Sequence, residues 1–339
     1  MAAKKKNRDY RLFLSMVLAV VIALLLFTFT LIFSRNRPQD PIATQTLPIM
    51  TTPSLPATPT DITPTETNPP VNEPTSTAQP TATAVPLASE WREWPILPES
   101  ISPLMIVVYR AALEQGSDPN KFSKVGDSNS MMPSFLSCFD FGESGYTIGP
   151  YTDLQKTIDH FRWSFSRESR ATANGITAMG LDTYHWYEDE ICWPYESATS
   201  CEYRLWKPVI AFIALGTNDA FSKPEDFDKH LRSLVQKSLD RFVVPILVFK
   251  ADDIEGDGSF NQIIAQIAID FQVPVWNLWR AMQPLPGHGL RENDVHPSFS
   301  NDSLCDFSGN DLKTYGWTVR NLTGLQALDK VWRLLNQAP

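Results

Sequence analysis

The sequence predicts an α/β domain whose mostly parallel sheet is covered by helices on both faces, preceded by a transmembrane helix and a disordered linker. Three observations predict this organisation. Strand and helix patterns alternate from about residue 104 to residue 335, as in proteins with β-α-β-α-β order. The longest predicted strands are nearly unbroken apolar runs, which are typical of a sheet buried on both faces. The first 89 residues differ in composition from the remainder of the chain.

The predicted elements follow from apolar periodicity and from the turn residues that bound each run. In chain order they are a helix over Leu104–Glu114, a strand over Phe122–Val125, a helix over Tyr151–Phe165, a strand over Pro208–Leu215, a helix from Ser222, a strand over Val243–Phe249, a helix over Ser259–Phe271, a strand over Val273–Leu278 and a helix over Leu322–Leu335. Ser222 with Glu225, and Ser259 with Gln262, predict capping boxes at two helix starts.

The N-terminal segment predicts a membrane anchor. A basic tail, residues 1–11, precedes an apolar run without charged residues, 12–33. Helical residues rise about 1.5 Å each, so this run spans roughly 33 Å, enough to cross a bilayer core. The excess of Lys and Arg before the run places the N-terminus in the cytoplasm and the remainder outside. A cleaved signal peptide is the alternative, but its apolar region is usually only about 7–15 residues long and is followed by a small-residue cleavage site. We therefore expect a single-pass protein with its large domain at the cell surface.

Residues 34–89 predict a disordered linker. Between residues 38 and 89 the chain holds 12 of its 27 prolines, 13 threonines and no Lys or Arg. Such a segment buries too little apolar surface to offset the entropy lost on ordering. It is either a plain spacer or an O-glycosylated stalk, and both would hold the following domain away from the membrane.

Residues 90–339 are long enough for one domain with a large core. The domain is acidic, in a chain of formal net charge −9, which argues against nucleic acid as a partner. An even number of cysteines outside the membrane favours two disulfides. Cys192 and Cys201 bracket a short loop, so we favour that pair, with Cys138–Cys305 as the second. Zinc is disfavoured because the spacing contains no C-x-x-C and no close pair of histidines. We predict no metal or other cofactor.

Four polar blocks, far apart in the chain, carry candidate catalytic groups. They are Gly126-Asp127-Ser128, Asn174-Gly175-Ile176-Thr177, Gly216-Thr217-Asn218-Asp219 and Asp294-Val295-His296-Pro297. Together they supply a hydroxyl nucleophile, backbone and amide donors for an oxyanion, and an imidazole base, which is the set needed for acyl transfer through a serine ester. Each block alone is also typical of an ordinary turn. Among the other histidines only His288 is a serious rival to His296.

In this order, over about residues 120–300, the four blocks resemble the SGNH (GDSL-type) hydrolases. The resemblance implies a three-layer α/β/α sandwich of the flavodoxin-like kind and ester hydrolysis through an acyl-enzyme. It implies Ser128 as the nucleophile and His296 as the base. It also implies an oxyanion hole formed by the N–H of Ser128, the N–H of Gly175 and the side-chain amide of Asn218.

One position departs from that family pattern. The family usually has Asp three residues before the histidine, where this chain has Asn293, and Asp294 lies only two residues before it. We therefore expect Asn293, Asp294 or a backbone carbonyl to orient the imidazole. Asn would hold the ring without stabilising imidazolium as a carboxylate does.

The expected substrate is a small-molecule or polysaccharide ester outside the cell, with an acyl (acetyl) group on carbohydrate as the first choice. Four tryptophans near predicted loops or strand ends would suit sugar stacking, although core packing is favoured for them: Trp186, Trp193, Trp276 and Trp279. A lipid or short-chain carboxylesterase and an acyltransferase stay open. So does a surface binding module with weakened catalysis, which Asn293 favours. We expect a monomeric catalytic domain.

One acidic segment resembles the start of a calcium loop. It runs from Asp253 to Gly258, but Ile264 stands where such a loop needs a bidentate Glu. A strand-to-helix loop is the favoured interpretation.

Overall fold

The computed structural model of the chain describes residues 87–131, 133–183, 191–301 and 303–337. The predicted basic tail, the predicted transmembrane helix and nearly all of the predicted linker lie outside these described residues. Within the described ranges, no helix combines the length and the apolar character that crossing a bilayer requires.

Helices and strands follow one another in the predicted order, with additional short helices in the connections. The elements are α1 (Pro103–Glu114), β1 (Asp118–Gly126), α2 (Gln155–His160), α3 (Ala178–Asp182), α4 (Ala198–Trp206), β2 (Pro208–Ala214), α5 (Pro224–Asp240), β3 (Val244–Val248), α6 (Ser259–Phe271), β4 (Val275–Trp276), α7 (Leu278–Met282) and α8 (Gly316–Gln337). A 3-10 segment at Ala88–Glu93 precedes them.

The four strands form one parallel sheet in the order β1-β2-β3-β4. An isolated parallel bridge joins Gly126 to Thr172, while Gly126 also pairs with Ala214 of β2. The chain at Thr172 therefore lies on the side of β1 opposite to β2, where an edge strand would be. Counting that segment as second in the chain gives the order 2-1-3-4-5, which is the flavodoxin-like order.

Both faces of the sheet are covered. Every residue of β2 and β3 is buried, and successive side chains of a strand point to opposite faces. Helix α1 packs against β2, β3 and α8, whereas α4, α5 and α6 contact one another in series and contact β1 or β3. Sequences with nearly continuous apolar strands are expected to be buried in this way.

Two helix starts differ from the predicted capping boxes. Helix α5 begins at Pro224, and its N-cap Lys223 makes no side-chain cap. Proline at the first helical position needs no N–H partner and has a helical φ, so it defines the start without Ser222. Helix α6 begins at Ser259 itself, after Gly258 in the left-handed conformation, and Asp257 accepts the N–H of Ser259. Both capping-box predictions were wrong.

The predicted helix over Tyr151–Phe165 is present only in its first part. The chain forms a 3-10 turn at Thr152–Leu154 and then the short helix α2, which ends before Phe161. Beyond it, the Asp140 carboxylate accepts the N–H groups of Trp163 and Ser166, both at 2.7 Å. A side chain more than twenty residues earlier in the chain thus replaces the helical hydrogen bonds.

The last strand is shorter than predicted and the last helix is longer. Strand β4 covers only Val275–Trp276, because Pro274 has no N–H to donate and Asn277 caps α7 by accepting the N–H of Arg280. Helix α8 begins at Gly316, six residues before the predicted start. The structure contains both favoured disulfides, Cys138–Cys305 and Cys192–Cys201.

Candidate active site

The turn after β1 presents Ser128 at the carboxyl edge of the sheet. A Cβ at Gly126 would collide with the Ser130 hydroxyl and with the carbonyl of Ala214. Only glycine therefore permits the end of β1 to lie this close to β2 and to the following turn. The Asp127 carboxylate accepts the N–H of Asn129 at 2.9 Å and caps the single 3-10 turn Ser128–Ser130. Ser128 itself remains partly exposed at the end of this turn.

A continuous hydrogen-bond path joins Ser128 to His296 and Asp294. The Ser128 Oγ lies 2.9 Å from His296 Nε2, and His296 Nδ1 lies 2.6 Å from Asp294 Oδ1. A neutral imidazole protonated on Nδ1 satisfies both contacts, because it donates to Asp294 and accepts from Ser128. The hydrogen bond from His296 is the main reason that the pKa of Asp294 lies below its ordinary value.

Asn293 occupies a turn position beside this path. Its φ is +55°, a left-handed conformation that Asn tolerates better than most residues, and its side chain is exposed. Both ring nitrogens of His296 are already engaged, one by Ser128 and one by Asp294. Of the two candidate orienting residues, the structure therefore brings Asp294 to the imidazole.

The loop that carries Asp294 and His296 is closed by its own hydrogen bonds. The N–H of Arg291 donates to the carbonyl of His296 at 3.0 Å, and the N–H of Asp294 donates to the carbonyl of Arg291 at 3.2 Å. The Arg291 guanidinium lies 2.6 Å from Asp294 Oδ2, on the oxygen that His296 does not use. An antiparallel bridge between Leu290 and Pro297 closes the base of the loop.

Gly175 and Ser128 offer backbone donors on the same edge. Gly175 has a φ of +71° and a Cβ there would meet no atom within 4 Å, so the backbone conformation rather than crowding requires glycine. Among the described residues, the backbone N–H groups of Ser128 and Gly175 make no hydrogen bond. Both are therefore available to an incoming oxyanion.

The Asn218 side chain connects the segment after Gly175 to the Ser128 turn. Its Nδ2 donates to the carbonyl of Ile176 at 3.1 Å and to Asp127 Oδ2 at 3.3 Å. Both amide hydrogens are thus engaged by protein acceptors. The bond to Asp127 is long for N–H···O, so an oxyanion would compete for that hydrogen.

Several buried charged residues surround these groups, and sequence reasoning missed them. Burial raises the pKa of Asp127 to about 6 and that of Asp219 to about 6. Asp219 accepts the N–H of Ala178 at 2.9 Å and so holds the start of α3, just after Gly175. Burial also lowers the pKa of Arg320, on α8, to about 10. The apolar residues Trp317, Val319 and Leu322 around Arg320 are a signal in the sequence that could have indicated a buried charge.

The other histidines that the structure describes have separate partners. His288 Nδ1 contacts the carbonyl of Gln283 at 3.2 Å, His160 stacks on Trp332, and His230 pairs with Asp182 at 2.7 Å. His185 lies outside the described residues. His288, the rival to His296 as the base, therefore contacts its own loop, whereas His296 contacts Ser128.

The described tryptophans that were considered for sugar stacking also lie in the core or away from the candidate site. Trp276 is fully buried, and Trp279 packs edge-on against the buried ring of Trp91. Trp193 is 59% exposed but lines a groove beside Arg241, at the C-terminal end of α5, whereas the candidate site lies beyond the other end of that helix. Trp186 lies outside the described residues.

The acidic segment at 253–258 connects β3 to α6. Asp253 accepts the N–H of Gly258 at 2.9 Å, and Glu255 pairs with Lys250 at 2.5 Å. The segment is held together by these internal contacts, as expected for a strand-to-helix loop.

Comparison with solved structures finds distant similarities. One is to a protein described as a putative lipolytic protein of the G-D-S-L family from Desulfitobacterium hafniense DCB-2, at 16% identity and a TM-score of 0.38, covering 61% of this chain and 99% of that one. Another is to the esterase EstA from a Pseudoalteromonas species, at 15% identity and a TM-score of 0.39, covering 63% of this chain and 99% of that one. A third is to the acetylxylan esterase Axe2 from Geobacillus stearothermophilus, at 19% identity and a TM-score of 0.39, covering 64% of this chain and 96% of that one.

No protein-family model matches the chain, and no curated protein matches it. The first of the three solved structures bears the name of the family that the four sequence blocks resemble.

Proposed function

We propose that residues 90–339 form a serine ester hydrolase that acts through an acyl-enzyme. The observation that carries this proposal is the hydrogen-bond path from Ser128 Oγ through His296 to Asp294, with contacts of 2.9 and 2.6 Å. Nucleophile, base and orienting carboxylate in that sequence are the arrangement needed to activate a hydroxyl. The N–H groups of Ser128 and Gly175, which have no hydrogen-bond partner among the described residues, would supply the oxyanion site.

In the proposed reaction, Ser128 Oγ attacks the ester carbonyl carbon while its proton passes to His296 Nε2. The developing oxyanion is bound by the N–H groups of Ser128 and Gly175, and by Asn218 once the oxyanion displaces Asp127 as acceptor. One such donor is typically worth about 2.7–4 kcal/mol of transition-state stabilisation. The C–O bond then breaks and the alcohol leaves with the proton from His296. Water, deprotonated by the same imidazole, hydrolyses the acyl-enzyme and frees Ser128.

We propose acyl groups on an extracellular carbohydrate, acetyl above all, as the substrate. The His296 and Asp294 side chains are about one-third exposed, at 32% and 29%, so a group carried on a bulky polymer can reach them. Two exposed aromatic side chains, Phe221 (78%) and Phe299 (49%), stand on the loops that carry Asn218 and His296 and offer rings for contact with sugars. Lipid esters, short-chain esters and acyl transfer to a sugar hydroxyl are the alternatives to be compared in the assay.

We further propose that the domain lies outside the membrane, anchored by residues 12–33 and separated from the bilayer by the linker. The support is the sequence alone: the length of the apolar run and the basic residues before it.

Replacing Ser128 tests the proposed activity. We expect Ser128→Ala in the purified full-length chain to lower kcat/KM for nitrophenyl acetate by at least about 10³-fold with folding retained. Ser130→Ala is the matched control, because Ser130 lies on the same turn and its buried hydroxyl has no hydrogen-bond partner among the described residues. Unchanged turnover by Ser128→Ala would exclude Ser128 as the nucleophile.

A fluorophosphonate probe separates the hydrolase from a binding module without catalysis. Labelling of the wild type at Ser128, and its loss in Ser128→Ala, is expected of an activated serine. Failure of the folded wild type to label would favour the binding module. Asn293, which favoured that module in the sequence, has less weight because Asp294 contacts the imidazole. Acetylated xylan and longer acyl esters, assayed in parallel, identify the preferred substrate.

A further inference from the structure

The turn that carries Ser128 is held at both backbone groups of Asn129. Its N–H donates to Asp127 Oδ1 at 2.9 Å, and its carbonyl accepts from Arg320 Nε at 3.1 Å. Asp127 belongs to the turn itself, whereas Arg320 reaches it from α8, near the other end of the chain. Arg320 is therefore a contact that ties the backbone of the turn to α8, in addition to the side-chain contacts from Asn218 and His296.

Arg320 is an unusual residue for a helix core. It is only 3% exposed, and its guanidinium lies over three aromatic rings, 4.7 Å from Phe135, 5.4 Å from Trp276 and 5.8 Å from Trp317. Among the described residues its Nη2 is buried without a hydrogen-bond partner. A buried guanidinium is costly unless its charge and its donors are compensated.

A small cavity lies where that compensation is needed. It has a volume of about 20 Å³ and is lined in part by Asp127, Asn129, Thr217, Asp252 and Arg320. A cavity of this size holds about one water molecule, and buried water needs two to four polar partners. Arg320 Nη2 and Asn129 Oδ1 are both buried without a partner among the described residues. Both residues line this cavity, so a water molecule there is the partner that we expect for the two atoms.

We propose that Arg320 is a positioning residue for the nucleophile: with one buried water molecule it fixes the Ser128 turn and provides the counter-charge that keeps Asp127 ionised. The inference rests on the proposed function. An ionised Asp127 can accept from both Asn129 and Asn218, so it holds the nucleophile's turn and the oxyanion donor in register. Arg320 acts through these groups and does not itself touch the substrate.

The charges around Asp127 agree with this role. Burial raises its pKa to about 6, and the positive charges of Arg320 and, when protonated, His296 oppose that rise, whereas Asp252 adds to it. Asp219, which follows β2, also interacts with the Asp127 charge, and Lys250 lines the same cavity. Loss of Arg320 removes a cation and so shifts Asp127 towards its protonated form at a given pH. The pH below which Asp127 loses its acceptor role must then rise.

Two substitutions in the full-length chain test the proposal. We expect Arg320→Gln to lower kcat by roughly 10- to 100-fold with little change in KM, as for a small misplacement of the nucleophile. The low-pH limb of the rate profile should move upward by about one unit, since the guanidinium no longer favours the carboxylate. Arg320→Lys keeps the positive charge but lacks the several N–H donors of the guanidinium. It should therefore keep the low-pH limb near its wild-type position, and its kcat should fall less than that of Arg320→Gln. A structural role alone would lower the melting temperature of both variants and leave the limb unmoved.

Asp127→Asn tests whether the low-pH limb of the rate profile reports the titration of Asp127. In that variant the Asp127 contribution to the low-pH limb should disappear, and adding Arg320→Gln should cause no further shift. A high-resolution crystal structure of the wild type should show one water between Arg320 Nη2 and Asn129 Oδ1, a readout that needs no folded variant. An unmoved limb in Arg320→Gln, or a dry cavity, overturns the inference. A wild type that neither labels with fluorophosphonate nor hydrolyses esters overturns the proposed function instead.

Discussion

The two carboxylate oxygens of Asp294 contact different residues. Oδ1 receives the His296 ring, and also the His296 N–H at 3.0 Å, while Oδ2 faces the Arg291 guanidinium. The carboxylate is thus held by His296 on one oxygen and by Arg291 on the other. From the sequence, Asn293 and Asp294 were equal candidates for this task, because a difference of one residue depends on the φ of a single turn position. That φ, +55° at Asn293, is a property of the folded loop.

Substitution at these two neighbours should have unequal effects. We expect Asp294→Asn to lower kcat/KM by up to about 10⁴-fold, the loss known for an Asp-to-Asn change that leaves the imidazole in the wrong tautomer. Asn293→Gly preserves the left-handed turn and should stay near the wild-type value. Kinetics with nitrophenyl acetate at constant pH measure both. If Asn293→Gly were the more damaging change, the orienting role of Asp294 would have to be abandoned.

The elements around the site depend on loops that begin where parallel strands end. Ser128 follows β1, Gly175 follows the edge segment at Thr172, and Asn218 follows β2. The strands could be predicted because burial on both faces produces an apolar run. Their neighbourhood could be predicted because carboxyl ends of parallel strands meet at one edge. Local patterns therefore predicted the strands β1 to β4 but not the edge segment at Thr172, and the order of the site groups was recognised from the family resemblance.

What the sequence did not predict depends on contacts between distant segments. The break after α2 needs the Asp140 carboxylate, and the clamp on the Ser128 turn needs Arg320 from α8. No spacing or periodicity encodes such pairs. The start of α5 was mispredicted for a different reason: Ser222 and Pro224 offered competing local signals, and the proline determined the helix start.

Gly175 gives a test of the loop before α3. Its left-handed backbone strains any L side chain, although a Cβ would meet no atom within 4 Å. Gly175→Ala should cost about 1–2 kcal/mol of stability if the backbone holds, and should lower kcat by about 10-fold or more if relief of the strain turns the N–H away from the oxyanion. The matched control is Gly116→Ala, since Gly116 has a φ of +78°, equal open space and a place at the end of α1, away from the site.

Thermal denaturation and kcat measured on both glycine variants separate these effects. Similar losses of melting temperature, with a loss of kcat only in Gly175→Ala, would support its N–H as an oxyanion donor. Equal kcat in the two variants would count against that role.

At the scale of the whole chain, the proposed linker and the acidic charge of residues 90–339 would favour a proposed catalytic site that works away from the lipid surface. The described domain carries its candidate site at one edge of the sheet, with an exposed rim. Anionic lipid headgroups repel a domain of net negative charge, whereas the basic residues before the apolar run are attracted to them. Charge would therefore act in the same direction as the proposed linker.

The anchor is testable on the full-length chain in cells. We expect the wild type to remain in the membrane fraction after alkaline carbonate extraction, and protease added outside intact cells to remove the domain. Leu24→Arg with Leu25→Arg should release it or block its insertion, because each Arg at the centre of a span costs about 2.5–3.5 kcal/mol on insertion scales. The control, Leu24→Ile with Leu25→Ile, keeps the run apolar and should stay bound. A soluble wild-type product whose N-terminus lies beyond residue 33 would instead identify a cleaved signal peptide, and the substrate would then be met by a secreted protein.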